Sequence, residues 1–273
     1  MKILCIVVIY NISIRESLTL HTLKNNNVFD VVIADNSDID IDNESLCYKG
    51  NLIYESMGGN IGLSKAYNMI IDKYKNDYDI FTIFDDDTVV DERYFKELID
   101  KADKHSKINI FAPFVYDEVG LLSPCIINGI KAIRIDDYNL ITEEKVSIIN
   151  SGISIRSNLL NNYMFDEKLF MDYVDHSFIK DSINNDKNKI YFLNVKLQQT
   201  FSGSSSVGLK QGMERYRRFK KDLLTFSKKY NMSKMETRIL LARRMLKQLF
   251  LTAIYYIKSV KVAIKNLITF LFV

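Results

Sequence analysis

The amino-acid sequence predicts an α/β protein, a mostly parallel sheet flanked by helices, followed by a basic amphipathic helical segment at the C-terminus. Three observations carry this. Short β-branched runs alternate with amphipathic stretches through the first hundred residues, as strands joined by crossover helices do. Polar residues follow the strand-like runs directly, so they fall along one edge of the sheet, where ligands of such sheets bind. Charge is also uneven. Residues 206–273 hold 16 Lys/Arg against Glu214, Asp222 and Glu236, leaving residues 1–205 acidic by about ten charges. Two parts with different partners are therefore expected, 1–205 and 206–273.

The elements follow in order. "KILCIVVIY" reads as a buried strand, "SIRESLTLHTLKN" has helical spacing, and "DVVIADNS" is a second strand with a polar end. "NLIYES" is a short strand, and "MGGNIGLSKAYNMIIDKYKN" opens on glycines and turns helical. "DIFTIFDDDT" is a strand with acids at its end, and "DERYFKELIDKADKH" is an amphipathic helix. Beyond it, "INIFAPFVYDE", "IKAIRID" and "KVSIINSGISIRS" read as strands, "EKLFMDYVDHSFIKDSINN" as a helix and "KIYFLNVKLQQTF" as a strand. "SGSSSVG" reads as a small-residue loop, and the chain is helical in pattern from Gln211 onward.

Apolar residues make up 47% of the chain, which excludes global disorder. Cys5, Cys47 and Cys125 lack the spacing of a zinc site, and together with the absence of paired cysteines they point to a reducing, cytoplasmic setting. The apolar N-terminus runs into Asn11 without a small-residue cleavage site, so a first strand is expected there rather than a signal peptide.

Asp85, Asp86 and Asp87 pose the chief chemical question. Adjacent carboxylates repel, and a buried strand end concentrates the repulsion. A hard divalent cation, Mg²⁺ or Mn²⁺, is the simplest relief, because such ions take carboxylate oxygens and keep positions open for phosphate and water. A solvated acidic turn is the plain alternative.

In chain order, "CIVVIYN", "VVIADNSD", "GGNIGLSKAYNMII", "FTIFDDDT", "NSGISIRS" and "FDEKLFMDYVDHSF" together resemble the family-2 inverting glycosyltransferases of the Rossmann-like GT-A fold. Within that family they are most similar to bacterial rhamnosyltransferase-like and galactofuranosyltransferase-like enzymes of surface polysaccharide assembly. The resemblance covers about residues 1–205. It implies a nucleotide-sugar donor, carrying rhamnose on thymidine diphosphate or a hexose or galactofuranose on uridine diphosphate, and a saccharide or lipid-linked saccharide acceptor. It implies that Asp35 accepts from the ring N–H of uracil or thymine, although "DNS" is also a common turn triplet. Tyr10 and Asn11 would meet the nucleotide, or simply cap the strand. Asn60 and Gly62, in the glycine loop, would contact the donor, where a plain helix start with glycine turns is the alternative. Asp85 would approach the ribose or sugar side and share the metal with Asp87, with Asp86 between them.

The transfer needs a base for the acceptor hydroxyl. "MDYVDHSF" offers Asp172, Asp175 and His176. On a helix Asp172 and Asp175 would share a face and raise each other's pKa. The resemblance implies Asp175 as general base, with Asp172 in support and His176 as the rival. Ser151 and Gly152 resemble a stretch near the acceptor and donor sugar, where a Ser-Gly turn explains them equally. Relatives often carry a His after the following strand. Here "KLQQTF" places Gln198, Gln199 or Thr200 in that neighbourhood, which leaves open whether the metal shell is complete and how far the reaction depends on metal.

In the tail the longest uncharged run, Gln248 to Ile257, is 10 residues, too short for the ~20 a spanning helix needs. Lys258, Lys261 and Lys265 recur on one helical face, and Leu249, Phe250, Ala253, Ile257, Val260 and Ile264 on another. That pattern fits a helix lying in an anionic membrane interface, peripheral at the inner face of the cell membrane, or equally a helix packed on protein. Three other classes are weighed: a silent nucleotide-sugar-binding protein, a nucleotidyltransferase, and a nucleic-acid-binding protein using the basic tail. The last is disfavoured by an apolar tail without a reader motif and by an acidic body.

Overall fold

In a computed structural model the chain divides into two compact units, Met1–Thr200 and Phe201–Val273. The structure describes residues 1–23, 28–50, 52–136, 145–186, 189–200 and 208–271. The expected small-residue loop at 202–208 lies almost wholly outside them.

The first unit begins β1 (Ile3–Ile9), a 3-10 turn (Ile14–Glu16), α1 (Leu18–Thr22), β2 (Asp30–Asp35), α2 (Asn43–Lys49), β3 (Ile53–Ser56) and α3 (Leu63–Tyr74). It continues β4 (Ile80–Phe84), β5 (Thr88–Val89), α4 (Arg93–Lys104), β6 (Ile110–Asp117), β7 (Gly120–Ser123), β8 (Cys125–Asn128) and β9 (Lys131–Ile133). β10 (Val146–Ser147), β11 (Ile153–Arg156), α5 (Ser157–Leu160), α6 (Val174–Asp186) and β12 (Ile190–Gln199) complete it.

The main sheet runs β3-β2-β1-β4-β11-β6-β12-β5, with β7 paired to β6. Strands β3, β2, β1 and β4 are parallel, and all seven residues of β1 are buried, as expected of a strand covered on both faces. The far half is mixed rather than mostly parallel. β11 runs antiparallel to both β4 and β6, while β12 is parallel to β6. A separate three-stranded sheet has the order β10-β8-β9.

Register sets the site. Ile9 lies opposite Asp35, Asp35 opposite Ser56, and Val7 opposite Phe84. The carboxyl ends of β1, β2, β3 and β4 therefore finish along one edge and deliver Tyr10, Asp35 and Asp85 there. α4 anchors the sheet through Tyr94, Phe95, Leu98 and Ala102, an i, i+1, i+4, i+8 stripe that is buried throughout. Arg156 donates to the carbonyls of Ala102 (2.6 Å) and Ile108 (2.8 Å), placing a cation at the C-terminal end of that helix.

Two expectations change. The helix expected over 167–185 begins only at Val174, because Tyr173 has a left-handed backbone (φ 67°). Asp172 therefore sits in the preceding turn, and the shared helical face with Asp175 does not exist. The short helix α2 was not foreseen. Its seven residues bury only Asn43 and Cys47, too few to make a periodic signal.

The second unit packs α7 (Leu209–Lys229) against α8 (Lys234–Leu271). α7 buries Phe219, Leu223 and Phe226. Gly212 allows close approach, since a Cβ there would meet Gln248 Nε2 at 2.3 Å. No described helix is long and apolar enough to cross a membrane.

Candidate active site

The edge formed by β1, β2 and β3 holds a cleft of about 880 Å³ lined by Asp35, Ser37, Tyr54, Ser56 and Gly58 among others, with Asp38, Asp40, Asp42 and Glu44 making it acidic. Asp85–Asp87 are not part of its lining. Asp35 is 7% exposed and held rigidly. Its Oδ2 accepts from Asn43 Nδ2 (3.1 Å) and Tyr54 Oη (3.2 Å), and its Oδ1 accepts from the Ser37 amide (3.0 Å). The "DNS" triplet thus forms a turn of the Asx type. Tyr10 Oη donates to Asp38 Oδ2 (2.9 Å). Asn11, at φ 53°, closes the corner: its amide donates to Ser37 Oγ (2.8 Å) and its Oδ1 accepts from the Asp38 amide (2.9 Å).

The glycine loop joins this end. Asn36 Nδ2 donates to Asn60 Oδ1 (3.2 Å), and the Asn60 amide donates to Asp38 Oδ1 (3.0 Å). Gly62 is required twice over. Its φ is +91°, and a Cβ would meet the Phe170 ring and carbonyl at 2.8 Å. The Leu63 amide donates to that carbonyl (2.7 Å), and Ser64 Oγ donates to the Leu169 carbonyl. Asn68 donates to the Phe165 carbonyl (2.9 Å) and accepts from its amide (3.0 Å). The loop that precedes α3 is thereby tied to the segment that leads into α6.

The acidic loop is pinned from below by groups the motifs did not reveal. The carbonyls of Asp85 and Asp86 accept from Thr19 Oγ1 and from Ser17 Oγ (3.0 Å), respectively. The Asp85 amide donates to Ser151 Oγ (3.2 Å), which is also 2.6 Å from Thr88 Oγ1. Ser151 is 1% exposed, so in this arrangement it holds the acidic loop. Gly152, with φ +84°, lets its backbone pass Pro113, whose Cγ a Cβ would meet at 2.6 Å. The Ser17 hydroxyl could have been found only as the N-cap of a short helix beside the site, and no spacing points to it or to Thr19 inside that helix.

The three carboxylates repel each other in partial burial. Burial first, then the charge of Asp87, pushes Asp85 up to about 7, against the hydrogen bond from Gln199, with Asp86 and Asp175 adding to the rise. Burial and Asp87 push Asp86 up to about 6, and burial raises Asp87. Gln199 Nε2 donates to both Asp85 Oδ2 (2.7 Å) and Asp87 Oδ1 (3.1 Å), so one nitrogen serves two carboxylates. These hard oxygens, brought to one point, fit Mg²⁺ or Mn²⁺. Among the described residues no group of three or more His, Cys, Asp or Glu is arranged to hold a cation alone. A two-carboxylate set suits an ion that also takes diphosphate oxygens.

Asp175 opens α6, and its charge is felt at Asp85, at Cys125 and at the buried hydroxyl of Tyr67, whose titration burial raises well above the usual range. Asp175 Oδ1 accepts from the His176 amide (2.7 Å), and the His176 ring lies 2.7 Å from Ser147 Oγ through Nδ1. The fold therefore brings Asp175 to the acidic loop, leaves Asp172 in the turn before α6, and ties the His176 ring to β10.

The strand ends thus gather an acidic cleft and, beside it, an acidic loop, with Asp175 brought in by α6, the arrangement of an α/β protein whose site lies at the carboxyl edge of its sheet. The chain belongs to glycosyl transferase family 2, whose family model matches residues 5–155. It has the GT-A fold. The mannosyltransferase PcManGT from Pyrobaculum calidifontis, solved with GDP-Man and Mn²⁺, is similar over 96% of this chain and 80% of its own at 13% identity, with a TM-score of 0.57. TarS of S. aureus is similar over 90% of this chain at 19% identity and a TM-score of 0.52; this chain spans 43% of that TarS chain. A shorter TarS chain, residues 1–349, matches over 92% of this chain and 89% of its own, with 16% identity and a TM-score of 0.53. At such identities the likeness bears on the fold. A search of the curated proteins gives no match.

Proposed function

We propose that this protein is an inverting glycosyltransferase. It moves a sugar from a nucleoside diphosphate, dTDP-rhamnose or a UDP-linked hexose or galactofuranose, to a saccharide or lipid-linked saccharide acceptor in surface polysaccharide synthesis. The observation that carries this is the convergence on one sheet edge of the Asp35 cleft, the Asp85–Asp87 loop and Asp175. Asp35, fixed by Asn43 and Tyr54, offers an acceptor oxygen to a ring N–H of the base. Tyr10, Asn11, Asn60 and Gly62 shape the path between base and diphosphate. Asp85 and Asp87 would hold Mg²⁺ or Mn²⁺, which supplies positive charge where the diphosphate leaves. Asp175 takes the proton from the acceptor hydroxyl as that oxygen attacks the anomeric carbon; the bond to the diphosphate breaks in the same displacement, and the centre inverts. Asp172 and His176 flank the base, and Ser151 and Gly152 support the acidic loop on the side of the acceptor and donor sugar.

The second unit is an anionic-membrane anchor in this reading. Leu246, Leu249, Phe250, Ile257 and Val260 are exposed along α8, with Lys258 and Lys261 beside them. The side chains of Ile264 and Lys265 lie outside the described ones. The protein then works at the inner face of the cell membrane and has no nucleic-acid partner.

The test is a panel of nucleotide sugars, with and without Mn²⁺, assayed by thermal shift and by donor turnover. One donor is expected to raise the Tm and to be turned over. Binding of no nucleoside diphosphate under either condition would overturn the enzyme reading.

A further inference from the structure

We propose that Gln199 is an amide gate on the cation position. Without metal its NH₂ group bridges Asp85 and Asp87; when a divalent cation enters, the amide turns over and presents Oε1 to it. The inference rests on the reading of Asp85 and Asp87 as cation ligands and goes beyond it.

Gln199 closes β12 and is 8% exposed. Its backbone is fixed, because Gln199 pairs with Thr88 and Gln198 with Val89, so only the side-chain torsions are free to respond. Nε2 lies 2.7 Å from Asp85 Oδ2 and 3.1 Å from Asp87 Oδ1, the job a small cation would do between two carboxylates. The other end of the same amide is unsatisfied: Oε1 is buried and has no hydrogen-bond partner among the described residues. A buried carbonyl left in that state is costly, and natural structures rarely tolerate one without a role. The acids dictate the present orientation, since the turned amide would point its oxygen at two anions. A cation between them reverses the preference. Amide oxygens are ordinary ligands of hard divalent ions, and amide N–H groups are not. A half-turn about Cγ–Cδ then satisfies Oε1 and costs the bridge that the ion has made redundant.

The same chemistry separates glutamine from its near neighbours. Methionine fills similar space with neither a donor nor a hard oxygen. Glutamate keeps an oxygen ligand, loses the donor, and adds a charge to a loop that already holds three.

The experiment uses the full-length protein labelled with ¹⁵N, with the Gln199 side-chain resonances assigned by their loss in Q199M. In metal-free protein, the Gln199 NH₂ protons are expected to exchange slowly. Titration with Mg²⁺ shifts them and speeds their exchange as they leave the carboxylates. In parallel, metal-free Q199E melts roughly 3 °C or more below wild type, and Mg²⁺ raises its Tm by more than it raises that of wild type. Fast exchange of the Gln199 amide in the metal-free protein would overturn the bridge. Calorimetric binding of Mg²⁺ that leaves the amide resonance unmoved, or a Q199E response equal to that of wild type, would overturn the gate while leaving the cation reading intact. Failure of wild type to bind Mg²⁺ or Mn²⁺, with or without nucleoside diphosphate, would remove both.

Discussion

In the proposed function Asp175 and Asp35 have different tasks, and their substitutions should separate cleanly. Asp175→Asn keeps an Oδ1 for the His176 amide, so folding should be unaffected, while transfer falls by about 10²–10⁴-fold. Steady-state kinetics beside a melting curve will show this; full turnover would remove the base assignment. Asp35→Ala strips the cleft of an acceptor held by three donors, and donor KM is expected to rise by about 10-fold or more with a smaller change in kcat. Asp117 makes a pH prediction. Its carboxylate accepts from Arg134 (Nη1, 2.7 Å) and from the Val119 and Gly120 amides (2.9 and 3.2 Å), which holds it down at about 2. A depressed folded pKa stabilises above the unfolded value of about 4. Here that stability is lost as pH falls from about 4 to about 2. Asp117→Asn should flatten the acid limb of a Tm-against-pH curve in that window. Asp85 and Asp175 stood out in the sequence because short motifs carry them. Gln199 was reached only as one of three residues in "KLQQTF", because its partner Asp85 is 114 positions away and glutamine has no motif of its own. Ser17 and Thr19 were hidden for the same reason.

Among the elements, strands were the most legible. β1, β2 and β4 are apolar, largely β-branched runs buried on both faces; β2 ends in Asp35, and β1 and β4 are followed directly by Tyr10 and Asp85, which the register then lines up. Helix limits were less so. Nothing local announces that Tyr173 adopts a left-handed backbone, and that single residue moves Asp172 off α6. The antiparallel run of β11 between β4 and β6 was equally hidden, since strand direction is a long-range choice. Two substitutions probe this level. Leu98→Ala empties a fully buried position on α4 and should cost about 3 kcal/mol, read by chemical denaturation. Gly152→Ala brings a Cβ to 2.6 Å from Pro113 Cγ at a positive φ, and should cost about 2 kcal/mol or more. Because the Gly152 amide donates to the Ile83 carbonyl one residue from β4's end, catalysis should fall with it.

For the whole molecule, charge is divided between the two units, an acidic body and a basic helical pair. The exposed Phe250 and Ile257 beside Lys258 and Lys261 make vesicle binding the measurement of choice. Cosedimentation with anionic vesicles should exceed that with neutral ones and weaken with salt, and Phe250→Glu should reduce it about 10-fold. Equal, weak binding to both vesicle types would leave α8 as a protein-packing helix.

Asn68, Ser64 and Leu63 buckle the first turns of α3 to residues 165–170. The spacing from the glycine loop to Asp175 is thus clasped across about a hundred positions of chain. Anyone grafting a foreign donor loop into this scaffold must transplant the 165–170 strap along with it. Swapped alone, the loop would arrive without the clasp that keeps Asp175 in step.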